Sequence, residues 1–295
     1  MKHPFRPAPR RRRRLLGLML ALCLSFAAFG ALGAGAETAD EIQFPRGAVE
    51  TPVLLDGIEV LEGEIFRLDG VTYVPLRNFS NLFDSPKISW NGATNTATVK
   101  TDELTLYAQT GSYYIYANDH FLYTVGQILN LEGHLYVPIR PMARAFALDL
   151  TWDATRNRVE LRSTGASAIT PADYDEDSVY WLSRIISAES RGEPFLGQVA
   201  VGNVVLNRVA SDLYPDTIYE VIFDREYGTQ FTPVAIGTIY DTPTESAVIA
   251  AKVCLEGYTL SDSILFFMNP RIATSNWIAE NRPYAFTIAN HAFYE

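Results

Sequence analysis

The sequence has 295 residues, room for roughly two domains and a sizeable core. It carries 34 Asp and Glu against 24 Lys and Arg, a formal net charge of −10. That excess of acid argues against nucleic acid or anionic lipid as partners and leaves a neutral or cationic polymer open.

The first predicted element is a leader. Five consecutive arginines, Arg10 to Arg14, precede an apolar run of 14 residues from Leu15 to Ala28, and Ala34-Gly35-Ala36 follows. A charged start, an apolar stretch and an A-x-A site together predict a secretory signal peptide over 1–36. The run is shorter than the ~20 residues that a spanning helix needs. Leu22 stands before Cys23, so a lipoprotein site is not expected. The leader holds seven of the 24 cationic side chains and none of the 34 acidic ones, which leaves 17 against 34 and a mature charge near −17. Cys254 is then the only cysteine, so no internal disulfide is expected and the fold must rest on core burial. Its setting, "AVIAAKVCLEG", predicts a buried, inert thiol.

The next segment repeats itself. "LDGVTYVPLRNFSNLF" from Leu68 is answered 63 residues later by "LEGHLYVPIRPMARAF" from Leu131, and "WNGATNTATV" from Trp90 by "WDATRNRVEL" from Trp152. Each unit predicts a Gly turn, a short strand, a Pro, about two helical turns and a Trp-led hairpin. Between the units, "LTLYAQTGSYYIYANDHFLYTV" alternates as hairpin strands do. Its tyrosines are expected to be half-buried sheet aromatics, with glycan contact as the alternative. The "YVPLR…W" and "YVPIR…W" motifs resemble the stalk domain first described at the N-terminus of copper amine oxidases, over residues 52–162. Copper itself is not expected, since only His120 and His134 are present there and neither has a second ligand at metal-site spacing. Arg77 and Arg140 are expected to hold helix to hairpin, and the stalk to contact cell wall or another wall protein.

Residues 163–176 are small, polar and acidic, and predict a linker. The period then changes. Val179, Leu182, Ile186 and Glu189 trace one helix face, capped by Asp175 or Asp177 and ended by Gly192 and Pro194. Further helices are predicted over 196–210 and 218–224, and from a capping box at Thr242 to Gly257. "ILFFMNP" and "PYAFTIANHAF" predict short strands. The fold class is therefore α+β: a two-repeat β-rich stalk, then a mainly helical domain over 177–295 with a small β element.

Glu189 continues an apolar stripe. A carboxyl held in a partly desolvated cleft stays protonated near neutral pH, as a general acid for glycosidic cleavage must. Spacing alone leaves this open against a helix-end Glu that is solvated or is paired with Arg191 or Arg208. Its companions are uncharged or aromatic: Asn203 and Asn207, Gln230, Phe231 and Thr232, then Asn269, Thr274, Ser275, Asn276 and Trp277, and finally Asn290 and His291. Such groups suit a neutral N-acetylated sugar. By sequence alone Trp277 is expected in a core rather than as a sugar platform. His291 is the only His in this half, which weighs against a zinc amidase. No G-x-S-x-G is present.

"AESRGEPFLGQVAVGNVVLNRV", "QFTPV", "NPRIATSNWI" and "RPYAFTIANHAF" together resemble the SleB/CwlJ-type cell wall hydrolases, the spore cortex-lytic family. The resemblance implies a fold similar to goose-type lysozymes and lytic transglycosylases, with Glu189 as the catalytic acid. It implies Gln230, Phe231, Thr232, Asn269, Ser275, Trp277 and His291 as substrate-binding residues. No metal or other cofactor is implied, and the expected partner is the glycan strand of peptidoglycan. Met268 stands where the family commonly has an aromatic, and Ala289 where it has Gly. The expected activity is cleavage of the β-1,4 bond after N-acetylmuramic acid by a secreted, wall- or spore-associated enzyme, as a lytic transglycosylase. A muramidase, an N-acetylmuramoyl-L-alanine amidase and a non-catalytic wall-binding protein are the alternatives. Glu193 is expected to serve the next helix rather than the chemistry.

Overall fold

The computed structural model describes residues 42–83, 85–226 and 230–295. The expected signal peptide lies outside them. In chain order the first half contains β1 (Val49–Glu50), β2 (Val53–Leu55), β3 (Ile58–Val60), β4 (Phe66–Leu68), β5 (Val71–Pro75), α1 (Leu76–Ser80), β6 (Lys87–Asn91) and β7 (Thr96–Lys100). A central run follows, β8 (Thr105–Gln109), β9 (Tyr114–Ala117) and β10 (His120–Tyr123). The second repeat gives β11 (Leu129–Leu131), β12 (His134–Pro138), α2 (Ile139–Ala145), β13 (Leu148–Asp153) and β14 (Arg158–Ser163).

The repeats meet through equivalent strands. β5 and β12 pair antiparallel with Val74 opposite Val137, flanked by Tyr73 opposite Pro138 and Pro75 opposite Tyr136. Residues related by the sequence repeat thus face each other about a local two-fold. Each Pro ends its strand and opens a helix, since it cannot donate to the ladder. The Trp-led hairpins then part company. β6 and β7 join the sheet β10-β9-β8-β7-β6, whereas β13 and β14 join β2 and β3. The three sheets and both helices close on one core that includes Val74, Phe79, Leu106, Ile115, Met142 and Phe146. Arg77 and Arg140 do not hold helix to hairpin as expected. Both are exposed, and among the described residues neither side chain makes a hydrogen bond or ion pair.

The second half contains α3 (Glu176–Ser190), α4 (Phe195–Val209), α5 (Ile218–Phe223), α6 (Thr232–Ile236), a 3-10 turn at Thr238–Tyr240, α7 (Glu245–Leu255), β15 (Phe266–Met268), α8 (Trp277–Asn281), β16 (Tyr284–Ile288) and β17 (His291–Tyr294). Helices α3, α4 and α7 pack around Leu182, Ile186, Val201, Val205, Ala251 and Cys254. Asp175 caps α3, its carboxylate accepting from the Ser178 amide at 2.8 Å. The α7 cap is Thr244, not the expected Thr242: its hydroxyl accepts from the Ala247 amide at 3.2 Å. Pro243 stands between two threonines, and Thr244 wins because its own amide donates to the Ser187 hydroxyl of α3 at 3.1 Å. The expected closing glycine is present, Gly257 at φ 85°. Cys254 is buried as expected, and burial pushes its thiol up.

The acidic stretch between the halves is bound down along its length. The Ile169 amide donates to Ala145 O at 3.0 Å and the Ala172 amide to Asn118 O at 3.0 Å. The tyrosine-rich strands carry half-buried sheet aromatics, as expected. Tyr114, Phe121 and Tyr123 pack against the helical half. Tyr123 stacks on Tyr258 at 3.3 Å between ring centres, and Tyr114 lies 5.4 Å from Phe195. Those rings join the two halves, and Ile42–Glu295 form one unit. Among the described residues no helix is long and apolar enough to cross a membrane.

Candidate active site

Helix α3 delivers Glu189 one residue before its end. Leu182, Ile185 and Ile186 are fully buried. Glu189 follows on the same stripe, half-buried by residue exposure. Burial alone raises its carboxyl from the ordinary value of 4.5 to about 7. Among the described residues it makes no hydrogen bond or ion pair. The paired alternative therefore fails, and the carboxyl is only partly open to solvent. Arg191 is exposed and has no partner among the described residues. Arg208 is committed elsewhere, its Nε donating to Leu265 O at 2.8 Å. The neighbouring Ser190 hydroxyl turns back to Ile186 O at 2.6 Å and does not reach the acid.

Glu193 sits just past the helix break and its role is mechanical. It accepts from the Asn290 amide at 3.1 Å and from Asn290 Nδ2 at 2.9 Å. This fixes the β16–β17 turn to the α3–α4 corner. The same clamp explains the small residue at Gly197, where an added Cβ would lie 3.1 Å from Glu193 Cβ and 3.4 Å from Ile288 Cγ2. In the turn Ala289 takes φ 47°, left-handed backbone that Gly adopts more readily.

The other expected residues fall into two groups. Phe231 is 2 % exposed and lies beneath the surface, its ring 5.2 Å from the Arg208 guanidinium. That guanidinium also faces Tyr214 at 5.0 Å and Phe266 at 5.5 Å. Arg208 therefore holds the Gln230–Thr232 segment against β15. Burial pushes the Arg208 pKa down, with Tyr214 and Asp224 acting against that shift. Thr232 is exposed and Gln230 half-buried. His291 is 7 % exposed, ringed by Phe267 at 5.3 Å and Phe293 at 6.3 Å. Burial pushes its imidazole down, with Glu193 opposing, so it is neutral near pH 7.

The second group lies on the surface beyond β15. Met268 pairs with Ala292, which puts Asn269 and His291 at the same end of the sheet. Asn269 Oδ1 accepts from the Arg271 amide at 3.0 Å, shaping the turn. Ser275 Oγ accepts from the Trp277 amide at 3.2 Å and starts α8. Trp277 is 52 % exposed and is not core. Arg282 ties it back, its guanidinium 5.5 Å from the Trp277 ring and 4.4 Å from Phe266. Phe266 is thus the hub between the Gln230–Thr232 segment and α8. Asn203 and Asn207 brace backbone: Asn203 Nδ2 donates to Tyr258 O and Asn207 Nδ2 to Ser261 O and Ile264 O, each at 2.9 Å. Sequence reasoning missed the Arg208 and Arg282 hubs. Their one signal is a cation placed among aromatics in sequence, Arg208 on an apolar helix and Arg282 between Trp277 and Tyr284.

A helix-end carboxyl raised by burial to about 7 has the protonation that a general acid for glycosidic cleavage requires. The comparisons with known proteins agree in class. Residues 192–294 match the cell wall hydrolase family and residues 54–161 match the copper amine oxidase N-terminal domain. The chain thus carries a cell wall hydrolase domain preceded by a copper amine oxidase N-terminal domain. Among particular proteins, a spore cortex-lytic enzyme of Bacillus cereus is 42% identical over 123 residues, covering 42% of this chain and 46% of that protein. One from Bacillus subtilis is 37% identical over 134 residues, covering 45% of this chain and 43% of that one. The chain spans about half the length of these curated relatives. The solved catalytic domain of the germination-specific lytic transglycosylase SleB from Bacillus anthracis is 40% identical, with 43% of this chain and 100% of that one covered and a TM-score of 0.38.

Proposed function

We propose that this protein cleaves the β-1,4 bond after N-acetylmuramic acid in peptidoglycan, as a lytic transglycosylase with Glu189 as its acid. The observation that carries the proposal is the half-buried Glu189 carboxyl, which has no partner among the described residues and is raised to about 7 by burial. Protonated, it donates to the leaving glycosidic oxygen as an oxocarbenium-like state forms. As carboxylate it then takes the proton of the muramyl C6 hydroxyl, which closes a 1,6-anhydro ring. One carboxylate serves both steps. Hydrolysis ordinarily needs a second one at a defined separation. Of the other candidate carboxylates, Glu193 is bound by Asn290, Asp224 Oδ1 accepts from the Glu226 amide at 2.9 Å, and Glu226 and Asp241 are exposed, which supports the transglycosylase over the muramidase.

Trp277, Thr232 and Gln230 contact the glycan in this proposal, with Asn269 and Ser275 shaping the loop beside them. Phe231 and His291 support those contacts from below. The substrate class is wall or spore cortex peptidoglycan, as the names of the relatives suggest. Residues 1–36 export the chain and are removed near Glu37. Product masses after digestion of purified sacculi and of cortex test the reaction. Anhydro-ended fragments are expected. Hydrated reducing ends would replace the transglycosylase with a hydrolase, free stem peptides with an amidase, and release of nothing with a binding protein.

A further inference from the structure

The second repeat of the stalk borders a groove of ≈ 330 Å³. Val71, Ile139 and Leu150 give it an apolar lining, together with the ring of Trp152, which is 37% exposed. Arg67 lies with its guanidinium 5.1 Å from the centre of the Trp152 ring. Its Nη2 donates to the neutral Asn157 Oδ1 at 3.1 Å. Arg140, the exposed arginine of the "YVPIR" motif, also lines the groove and has no ion pair among the described residues. Among the described residues no carboxylate lines it, in a chain whose acids outnumber its bases by 34 to 24. The repeat does not reproduce this lining, because Asn130 stands at the position equivalent to Arg67 and the Trp90 hairpin belongs to another sheet.

Two guanidinium groups without acid partners, beside an indole and aliphatic side chains, match a carboxylate carried on a small apolar body. We infer that this groove binds the carboxylate-ended peptide stem of a wall polymer, a short peptide that closes in small apolar residues. A neutral glycan would leave both arginines without a counter-charge. A polyol phosphate would satisfy them but offers nothing to Val71 and Leu150. The choice of a wall peptide rests on the peptidoglycan proposal above, whereas the carboxylate chemistry rests on the groove alone. The stalk packs on the helical half through β9 and β10, so a stem held here fixes the hydrolase half relative to its polymer.

Calorimetric titration of the full chain with diacetyl-L-lysyl-D-alanyl-D-alanine tests this, with its carboxamide, glycerol phosphate and chitotetraose as parallel probes. The acid form is expected to bind, and the carboxamide at least about tenfold more weakly. Arg140→Gln and Trp152→Ala are each expected to weaken the acid form about tenfold, with an unchanged circular dichroism spectrum. Glu189→Gln is expected to bind it as the parent does. Equal binding of the carboxamide, tighter binding of the phosphate or the chitotetraose, no binding of the acid, or parent-like binding by both groove variants would overturn the inference. Loss of cleavage in Glu189→Gln with parent-like groove variants would sink this inference alone. The reverse pattern would sink the reaction proposal alone.

Discussion

At Glu189 burial removes part of the water and, among the described residues, no cation or amide replaces it, so the carboxyl holds its proton up to about pH 7. The consequence for rate follows directly: an acid that must donate is lost as pH rises through about 7, and turnover should fall along that limb. The consequence for stability has the same sign. The folded value lies above the ordinary 4.5, so the folded form binds the proton more tightly than the unfolded chain. Its contribution is fully present below about pH 4.5 and is lost as pH rises through about 7. Above that, the folded protein holds a charge that burial opposes, at roughly 3 kcal/mol. Glu189→Gln should therefore be more stable than the parent at pH 8.5 by up to about that amount, and close to it at pH 4.5. Urea denaturation at both pH values measures this, and a gap that does not change with pH would refute it. Ala289 offers a second test. Its φ of 47° costs an L-residue about 1 kcal/mol, so Ala289→Gly should raise stability by about that much, as thermal or urea unfolding would show.

Among the elements, α3, α4 and α7 approach closely because Gly202 has no side chain. A Cβ there would lie 2.8 Å from Cys254 Sγ and 2.9 Å from Ile186 Cδ1. Gly202→Ala should cost about 1–3 kcal/mol in unfolding experiments by overpacking the three-helix contact. A neutral outcome would mean that α4 shifts freely against α3. The elements also show where sequence periodicity succeeds. α3, α4 and α5 carry long apolar stripes or clear caps, and their expected limits agree with the structure to within a residue or so. α6 and α8 are single exposed turns with no stripe to read, and neither was expected. The β16–β17 turn was hidden because Ala289 occupies a left-handed position that usually announces itself as Gly. At the site, Glu189 was legible because a carboxylate breaks an otherwise apolar stripe. Phe231 and His291 are buried against Arg208 and Glu193, partners distant in sequence. No local pattern encodes those.

Over the whole molecule, the stalk and the helical half meet at Glu256. Its side chain is 8% exposed and accepts from Tyr174 OH at 2.6 Å and Arg144 Nη2 at 2.9 Å, with His120 Nδ1 at 2.6 Å. Burial pushes the Glu256 pKa up, but the hydrogen bonds from Tyr174, His120 and Arg144 outweigh it and hold the carboxyl below its usual range. His120 Nε2 meets a further acceptor, Thr170 O, at 2.9 Å. The junction therefore ties together the stalk, the intervening segment and α7. Glu256→Ala should cost roughly 3 kcal/mol, because it strands partly buried donors and a cation. Hydrogen exchange should then quicken across β10 and residues 170–174 while α3 and α4 stay protected. Unchanged exchange there would show that the aromatic contacts alone hold the halves. In the proposed scheme this single unit presents one catalytic group, and its removal is the most direct test. The measurement is the rate of fragment release from peptidoglycan sacculi by the parent and by folded Glu189→Gln at pH 6. A loss of at least about 10²-fold is expected for the variant, the usual share of a general acid. Release by Glu189→Gln within about twofold of the parent would contradict the assignment of Glu189 as the acid.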